Sequence, residues 1–422
     1  MNTVVLGLLR GDEGKGKIVD YLSEEHDIIV RFQGGPNAGH TIYRDDKKIV
    51  LHQIPSGIFN NKMCVIAHGC VVDPRKLMNE INMLIENGLT LQYIVNHLKV
   101  AFGCHCITPK HIQEDVNREN TGKGNGSTKC GISPAYRDKY YREGKRMYDL
   151  FKSTTEDDLF KSTCSLFNLN KDEYVILRSL LIDDTVYLNY DCEYSKILFE
   201  GAQGVFLDID NPVYPNVSSS HVNVGGVITG SGISANTLKQ LNVIGVIKAY
   251  MSSVGEGEFL TEIKDSVILD NNGKEFKFSA ETLRNAGKEF GATTGRPRRV
   301  GFLDLPMIKY ACKTVGVNEL CITRLDTLYD AFKDLGEFPV CIGYAKVNQY
   351  GITQTTKISM YDANQYVPVY KFFKLWDKCT LDDPDFYQFI SYITNYLNIH
   401  IKYISVGKDK DDIIVNSDNI EF

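Results

Sequence analysis

The chain opens on an aliphatic and β-branched run, Thr3 to Leu9, that reads as a buried strand. A glycine-rich turn follows, and Ile18 to Leu22 begin a helix. Further apolar runs of strand length are Asp27 to Phe32, Met63 to Ala67, Ile197 to Phe199, Asn242 to Lys248, Glu319 to Thr323, Pro339 to Gly343 and Ile401 to Val406. Their alternation with helix-period segments predicts an α/β fold with a large, mostly parallel central sheet flanked by helices. Residues 147–194 read as a helical insertion. Two stretches rich in Gly, Asn, Thr, Lys and Arg, Thr108 to Tyr136 and Ala280 to Phe302, read as long mobile substrate loops. Without repeats or a Pro/Ser-rich linker, the pattern favours a single domain over 1–422.

Composition narrows the partners. The 422 residues are 43% hydrophobic, enough for a large core, and the formal net charge of -6 provides no basic field for a nucleic-acid backbone. Anionic ligands must therefore be met by local basic clusters. The first apolar run is too short for a signal sequence and no later run is long enough to span a bilayer, so a cytoplasmic protein without membrane partners is expected. Eleven scattered cysteines do not suggest a disulfide scaffold, and Cys104 and Cys106 around His105 lack the further ligands that a zinc site needs.

Gly11-Asp12-Glu13-Gly14-Lys15-Gly16-Lys17 has the spacing of a phosphate loop between strand and helix, with Ile18 where Ser or Thr would ligate magnesium. Glycines let backbone N–H groups approach phosphate oxygens, the two lysines add charge, and the helix N-terminus favours an anion. Magnesium would need another oxygen donor here, and Asp12 is the one within the loop. A ligand-free strand-to-helix turn is the bland alternative, and it leaves the interleaved lysines and carboxylates unexplained.

From this loop onward the chain resembles the adenylosuccinate synthetase family, whose opening signature is this heptapeptide. The resemblance recurs in Gln33-Gly34-Gly35-Pro36-Asn37-Ala38-Gly39-His40-Thr41, Ser133-Pro134-Ala135-Tyr136, Phe199-Glu200-Gly201-Ala202-Gln203-Gly204, Leu207-Asp208-Ile209-Asp210 and Gly225-Gly226-Val227. It returns in Gly291-Ala292-Thr293-Thr294-Gly295-Arg296-Pro297-Arg298-Arg299 and in Leu325-Asp326. Blocks in this order implicate nearly the whole chain.

The resemblance implies a GTP-dependent ligase that joins L-aspartate to IMP through a 6-phosphoryl-IMP intermediate. Asp12 resembles the base for N1–H, His40 the general acid at the phosphoryl oxygens, and Gln203 a further catalytic group. GTP contacts would come from Gly11, Glu13, Gly14, Lys15, Gly16, Lys17, Arg298, Arg324, Asp326, Ser405 and Gly407. IMP contacts would come from Asp12, Asn37, Thr128, Arg142, Gln203, Ser218, Val254 and Arg296. Thr293, Thr294, Arg296 and Arg298 match the aspartate loop, and arginine suits bidentate capture of a carboxylate. Mg2+ would be held by Asp12 and the carbonyl of Gly39. Arg142 matches an arginine supplied to the neighbouring subunit's site, which implies a homodimer.

Read without the resemblance, Arg142 is a solvated helix charge and Asp326 a helix cap. Arg10, Pro36, Lys129, Cys130, Ser253, Glu258, Arg324 and Lys408 depart from the family pattern around the nucleotide pockets while sparing the acid and the base. Three alternatives stay in view: the same chemistry on (d)GMP, a GTPase-like switch and a catalytically silent GTP-binding homologue. Asp12 at the base position favours IMP.

Overall fold

The computed structural model describes residues 1–417 except 45, 122–125, 265–267, 270–272, 274, 291–294, 296, 349–350 and 358. Its backbone divides into two compact units, each assembled from separate stretches of chain. The first comprises Met1–Leu6, Lys15–Gln203 and Val217–Asn242; the second comprises Gly7–Gly14, Gly204–Asn216 and Val243–Phe422.

In the first unit the strands run Thr3–Gly7, Ile197–Glu200, Ile28–Arg31, Met63–Ile66, Leu98–Ala101 and Leu181–Ile182 across the sheet, each parallel to its neighbour. Val4, Val5, Ile29, Val30, Val65, Leu198 and Phe199 are fully buried, as continuous apolar runs require in a sheet covered on both faces. Leu98–Ala101 was not anticipated, because the sequence carries the helix Leu91–His97 straight into it. Residues 147–194 are mostly helical as expected, with helices Met147–Phe151, Asp158–Phe167 and Lys171–Ser179 and the short strand Leu181–Ile182.

The second unit aligns Asn242–Lys248, Glu319–Thr323 and Ile401–Ser405 in parallel, with Ile413–Val415 antiparallel at the edge. The expected strand Pro339 to Gly343 lies elsewhere. It is the middle of Glu337–Asn348, which sits antiparallel between Gly351–Thr355 and Tyr366–Lys374 in a separate three-stranded sheet. Its apolar run gave no hint of direction, since parallel and antiparallel strands share the same side-chain period. This sheet packs an aromatic cluster in which Phe338 meets Phe373, Trp376 and Phe389.

The two stretches read as loops contain regular structure. Pro109–Asn120 and Ile132–Tyr141 are helices within or continuing Thr108 to Tyr136, and Ala280–Gly287 is a helix within Ala280 to Phe302. Thr108 with Pro109 forms an N-terminal cap, so the polar composition reflects a solvated helix face rather than a loop. Among the described residues, no helix is long and apolar enough to cross a membrane.

Candidate active site

The phosphate loop turns on left-handed backbone at Gly11 (φ 88°), Asp12 (φ 59°) and Gly14 (φ 91°). Glycine takes that conformation without penalty, whereas Asp12 bears a strain of about 1–2 kcal/mol that its surroundings must outweigh. Glu13 supplies part of that constraint. Fully buried, its Oε1 accepts hydrogen bonds from the amides of Leu9 (3.1 Å) and Gly11 (2.8 Å), while Thr323 Oγ1 donates to its carbonyl at 2.7 Å. The Glu13 side chain, expected to face GTP, thus shapes the loop. Ile18 is buried, so the place of a loop hydroxyl belongs to the core.

In the second unit Asp12 ends a chain of alternating charges. Its Oδ2 lies 2.8 Å from Arg298 Nη2, and Arg298 Nη1 lies 2.7 Å from Glu289 Oε2. The other oxygen of Glu289 accepts from Lys248 Nζ (2.8 Å) and Tyr250 Oη (2.6 Å), and Lys248 also donates to Ser252 Oγ at 2.6 Å. Glu289 and Lys248 are buried. Burial alone would push the Glu289 carboxyl up, but Lys248 and Arg298 overcome it and hold the group down at about 2. Arg298 stays protonated: burial works against its charge, and Asp12 and Glu289 outweigh it.

In the first unit His40 begins the strand His40–Arg44 and is buried. Its Nδ1 contacts Glu200 Oε1, which also accepts from Ser56 Oγ at 2.6 Å, and Glu200 Oε2 accepts from the Ser56 amide at 2.8 Å. Burial favours the neutral imidazole and lowers its pKa, with Glu200 opposing. Although burial also penalises the Glu200 charge, His40, Arg31 and Ser56 hold its carboxyl below the usual range. Gly16, in the first turn of the helix Lys15–Leu22, allows that turn to approach His40, since a Cβ there would stand 2.8 Å from His40 Cβ. Lys15 in the same turn is buried, and Lys17 is half-buried.

Other expected residues fall into place by unit. In the first, Asn37 Oδ1 and Gln203 Oε1 are buried without a hydrogen-bond partner among the described residues, and Gln203 has a left-handed backbone at φ 58°. Such acceptors carry a desolvation cost that a ligand donor would relieve. Gly39, Thr128 and Ser218 are partly buried, and Arg142 is exposed at the end of the helix Ile132–Tyr141.

In the second unit Asp326 is in the first turn of the helix Leu325–Phe332, and its Oδ1 is likewise buried without a partner among the described residues. Arg324 before it is exposed with φ 66°. Ser405 is buried, its hydroxyl 3.5 Å from the Gly407 carbonyl, and Val254 follows the strand Met251–Ser253. Thr293, Thr294 and Arg296 lie outside the described residues. Among the family departures, Arg10 is buried over the Phe259 ring and donates to the carbonyl of Glu258, so two of them meet. Another, Cys130, receives Lys76 Nζ at 3.2 Å.

Sequence reasoning assigned no role to Glu200, Ser56, Arg31, Lys248, Tyr250 or Glu289. A signal existed for three of them. Glu200, Arg31 and Lys248 each close an otherwise apolar strand, where a charge is costly unless paired. These strand ends lie at the carboxyl edge of parallel strands, where α/β folds place their ligands.

Known proteins match nearly the whole chain. The adenylosuccinate synthetase family profile covers residues 4–414. The adenylosuccinate synthetase of Thermodesulfovibrio yellowstonii is 39% identical, the alignment covering 98% of this chain and 99% of the relative. That of Caldanaerobacter subterraneus subsp. tengcongensis is 37% identical, with 98% of each chain covered. Among solved structures, the fully ligated adenylosuccinate synthetase from Plasmodium falciparum superposes with a TM-score of 0.82 at 33% identity, covering 99% of this chain and 100% of that one. The cyanophage S-2L succinoaminodeoxyadenylate synthetase bound to dGMP and dATP shares the fold, with a TM-score of 0.65 at 16% identity over 98% of this chain and 94% of that one. With a family match from one end to the other and the signature loop built around Asp12, this chain belongs to the adenylosuccinate synthetase family.

Proposed function

We propose that the chain ligates L-aspartate to IMP with GTP as phosphoryl donor, giving adenylosuccinate, GDP and phosphate. The observation that carries this reading is Asp12, held in a left-handed turn of the phosphate loop with its carboxylate oriented by Arg298 at 2.8 Å. A carboxylate so placed is suited to general-base work. Asp12 takes the N1 proton of IMP, O6 attacks the γ-phosphorus and GDP departs. The amine of aspartate then attacks C6, and phosphate leaves with the original 6-oxygen. Positioning and charge neutralisation are the main means of accelerating phosphoryl transfer, and His40, Lys15, Lys17 and Gln203 supply them.

The remaining roles follow the family match. Asp326, Arg324, Ser405 and Gly407 would receive the guanine, and the buried, unpartnered Oδ1 of Asp326 supports an acceptor role there. Gly11, Gly14 and Gly16 would bring backbone amides to the phosphates. Asn37, Thr128, Ser218, Val254 and Arg296 would hold IMP, and Thr293, Thr294, Arg296 and Arg298 the aspartate.

By the family match, magnesium would be held by Asp12, a hard oxygen ligand with 35% of its side chain exposed, and by the carbonyl of Gly39. When bound, the ion offsets charge on the phosphates. The exposed Arg142, beside Tyr140 and Tyr141 at 65% and 70% exposure, supports a homodimer in which this helix end meets the partner.

A GDP-release assay with GTP and magnesium tests the reading by offering IMP or dGMP, each with and without L-aspartate. Turnover that needs IMP and aspartate together is expected. Turnover on dGMP would move the chain to 2-aminoadenine chemistry, and hydrolysis indifferent to aspartate would favour a nucleotide switch.

A further inference from the structure

The most thoroughly enclosed charge in the first unit is Glu200, which is fully buried yet has no direct ion pair with an arginine or lysine among the described residues. Arg31 is its register partner on the neighbouring parallel strand, but Arg31 Nη1 donates towards the His52 carbonyl at 3.4 Å and its Nε has no partner among the described residues. Arg31 therefore compensates the Glu200 charge through space, leaving both carboxylate oxygens for directed hydrogen bonds. Among the described residues those bonds go to three donors: His40 Nδ1, Ser56 Oγ and the Ser56 amide.

A buried carboxylate is retained against its desolvation cost when its bonds fix something that an apolar residue could not. Here the fixed object is an imidazole. Oε2 is anchored by backbone, Oε1 by a hydroxyl and the ring, and the carboxylate sits at the rigid end of a buried strand. On the other side, Gly16 brings the first helical turn against His40 Cα and Cβ, so the ring is located from two directions.

We propose that Glu200 is the positioning residue for His40. It accepts the Nδ1 proton and turns Nε2 to the phosphoryl oxygens, where the facing carboxylate supports the second ring proton that Nε2 must carry to donate to them, with Ser56 holding the carboxylate in register. The inference rests on the reading of His40 as the group that meets the phosphoryl oxygens. Replacing that carboxylate by its amide removes the negative charge that supports the doubly protonated ring and turns an N–H donor towards Nδ1, which leaves Nδ1 bare and Nε2–H without the acidity of an imidazolium.

The experiment compares Glu200→Gln and His40→Asn in steady-state kinetics and records the imidazole nitrogen resonances of 15N-histidine-labelled enzyme, His40 being assigned by its loss in His40→Asn. Expected are a fall of about 100-fold or more in kcat for Glu200→Gln, KM values for IMP and GTP within about threefold of wild type, and a loss in His40→Asn at least as large. Wild-type enzyme should show a proton on His40 Nδ1, and Glu200→Gln a bare Nδ1. Near-normal turnover in His40→Asn would overturn the assignment of His40 itself. Loss in His40→Asn with normal kcat in Glu200→Gln would overturn the role of Glu200 alone. Because the wild-type resonances need no variant to fold beyond the one used for assignment, an unprotonated Nδ1 in the unsubstituted enzyme would also defeat the proposal.

Discussion

Glu200 in the first unit and Glu289 in the second are both fully buried carboxylates, yet they organise their surroundings in opposite ways. Glu200 spends its oxygens on an imidazole, a hydroxyl and an amide, and so orients a single ring. Glu289 binds Lys248 and Arg298 directly, and through Arg298 the ordering reaches Asp12. Neutral or weakly charged donors give a carboxylate geometric control over one neighbour. Formal cations turn it into the hub of an electrostatic chain, in which each member depends on the next. The first arrangement suits a group that must keep one orientation. The second suits arginines that carboxylate or phosphate ligands can engage by exchanging partners.

The largest expected effect lies at the open end of the second chain. Asp12→Asn preserves shape and removes the base, and turnover in the GDP-release assay should fall by roughly 10²–10⁴-fold; a variant keeping half the activity would assign the proton to another group. Next comes the hub. Glu289→Gln leaves Lys248 buried beside a neutral amide, so urea unfolding should register a loss of about 3–5 kcal/mol. An unchanged midpoint would mean that the charges reorganise freely and that the contrast with Glu200 is overstated.

A third buried carboxylate sharpens the comparison because no cation pairs with it among the described residues. Asp304 caps the helix Leu305–Val315 through the Met307 amide (3.1 Å) and accepts from Tyr344 Oη (2.6 Å), while its Oδ2 has no partner among the described residues. Burial pushes its carboxyl up to about 6. Between the unfolded value and that one the folded state holds the extra proton, so this group's contribution to stability falls as pH rises through about 4 to 6. Two pKa units correspond to about 3 kcal/mol. Asp304→Asn keeps the cap and removes the titration. Its stability relative to wild type should therefore rise by up to that amount between pH 4 and 7, measured by urea unfolding at both ends. A constant difference across that range would show that Asp304 is not ionising.

Much of this was readable beforehand because backbone demands are local. A strand, a glycine-bounded loop and a helix at residues 3–22 follow from composition and spacing, and Asn242–Lys248 and Glu319–Thr323 appear with the bounds expected of them. Pro339 to Gly343 could be read as a strand but not assigned to a sheet, since direction depends on the partner. The polar stretches hid the helices Pro109–Asn120 and Ala280–Gly287 because a solvated helix and a loop draw on similar residues. At the site, Asp12, His40 and Asp326 could be named from motifs. The groups that orient them could not, because Glu200 is 160 residues from His40.

The sequence by itself determined the α/β class, the phosphate loop and the family's ordered blocks, since each is encoded within a short window. Only the tertiary structure decided which charges answer one another. A buried carboxylate takes its meaning from the donors that folding brings to it: His40 and Ser56 for Glu200, Lys248 and Arg298 for Glu289, and none with a charge for Asp304. Electrostatic energy in a low-dielectric interior falls off with distance in space, and separation along the chain does not reveal that distance.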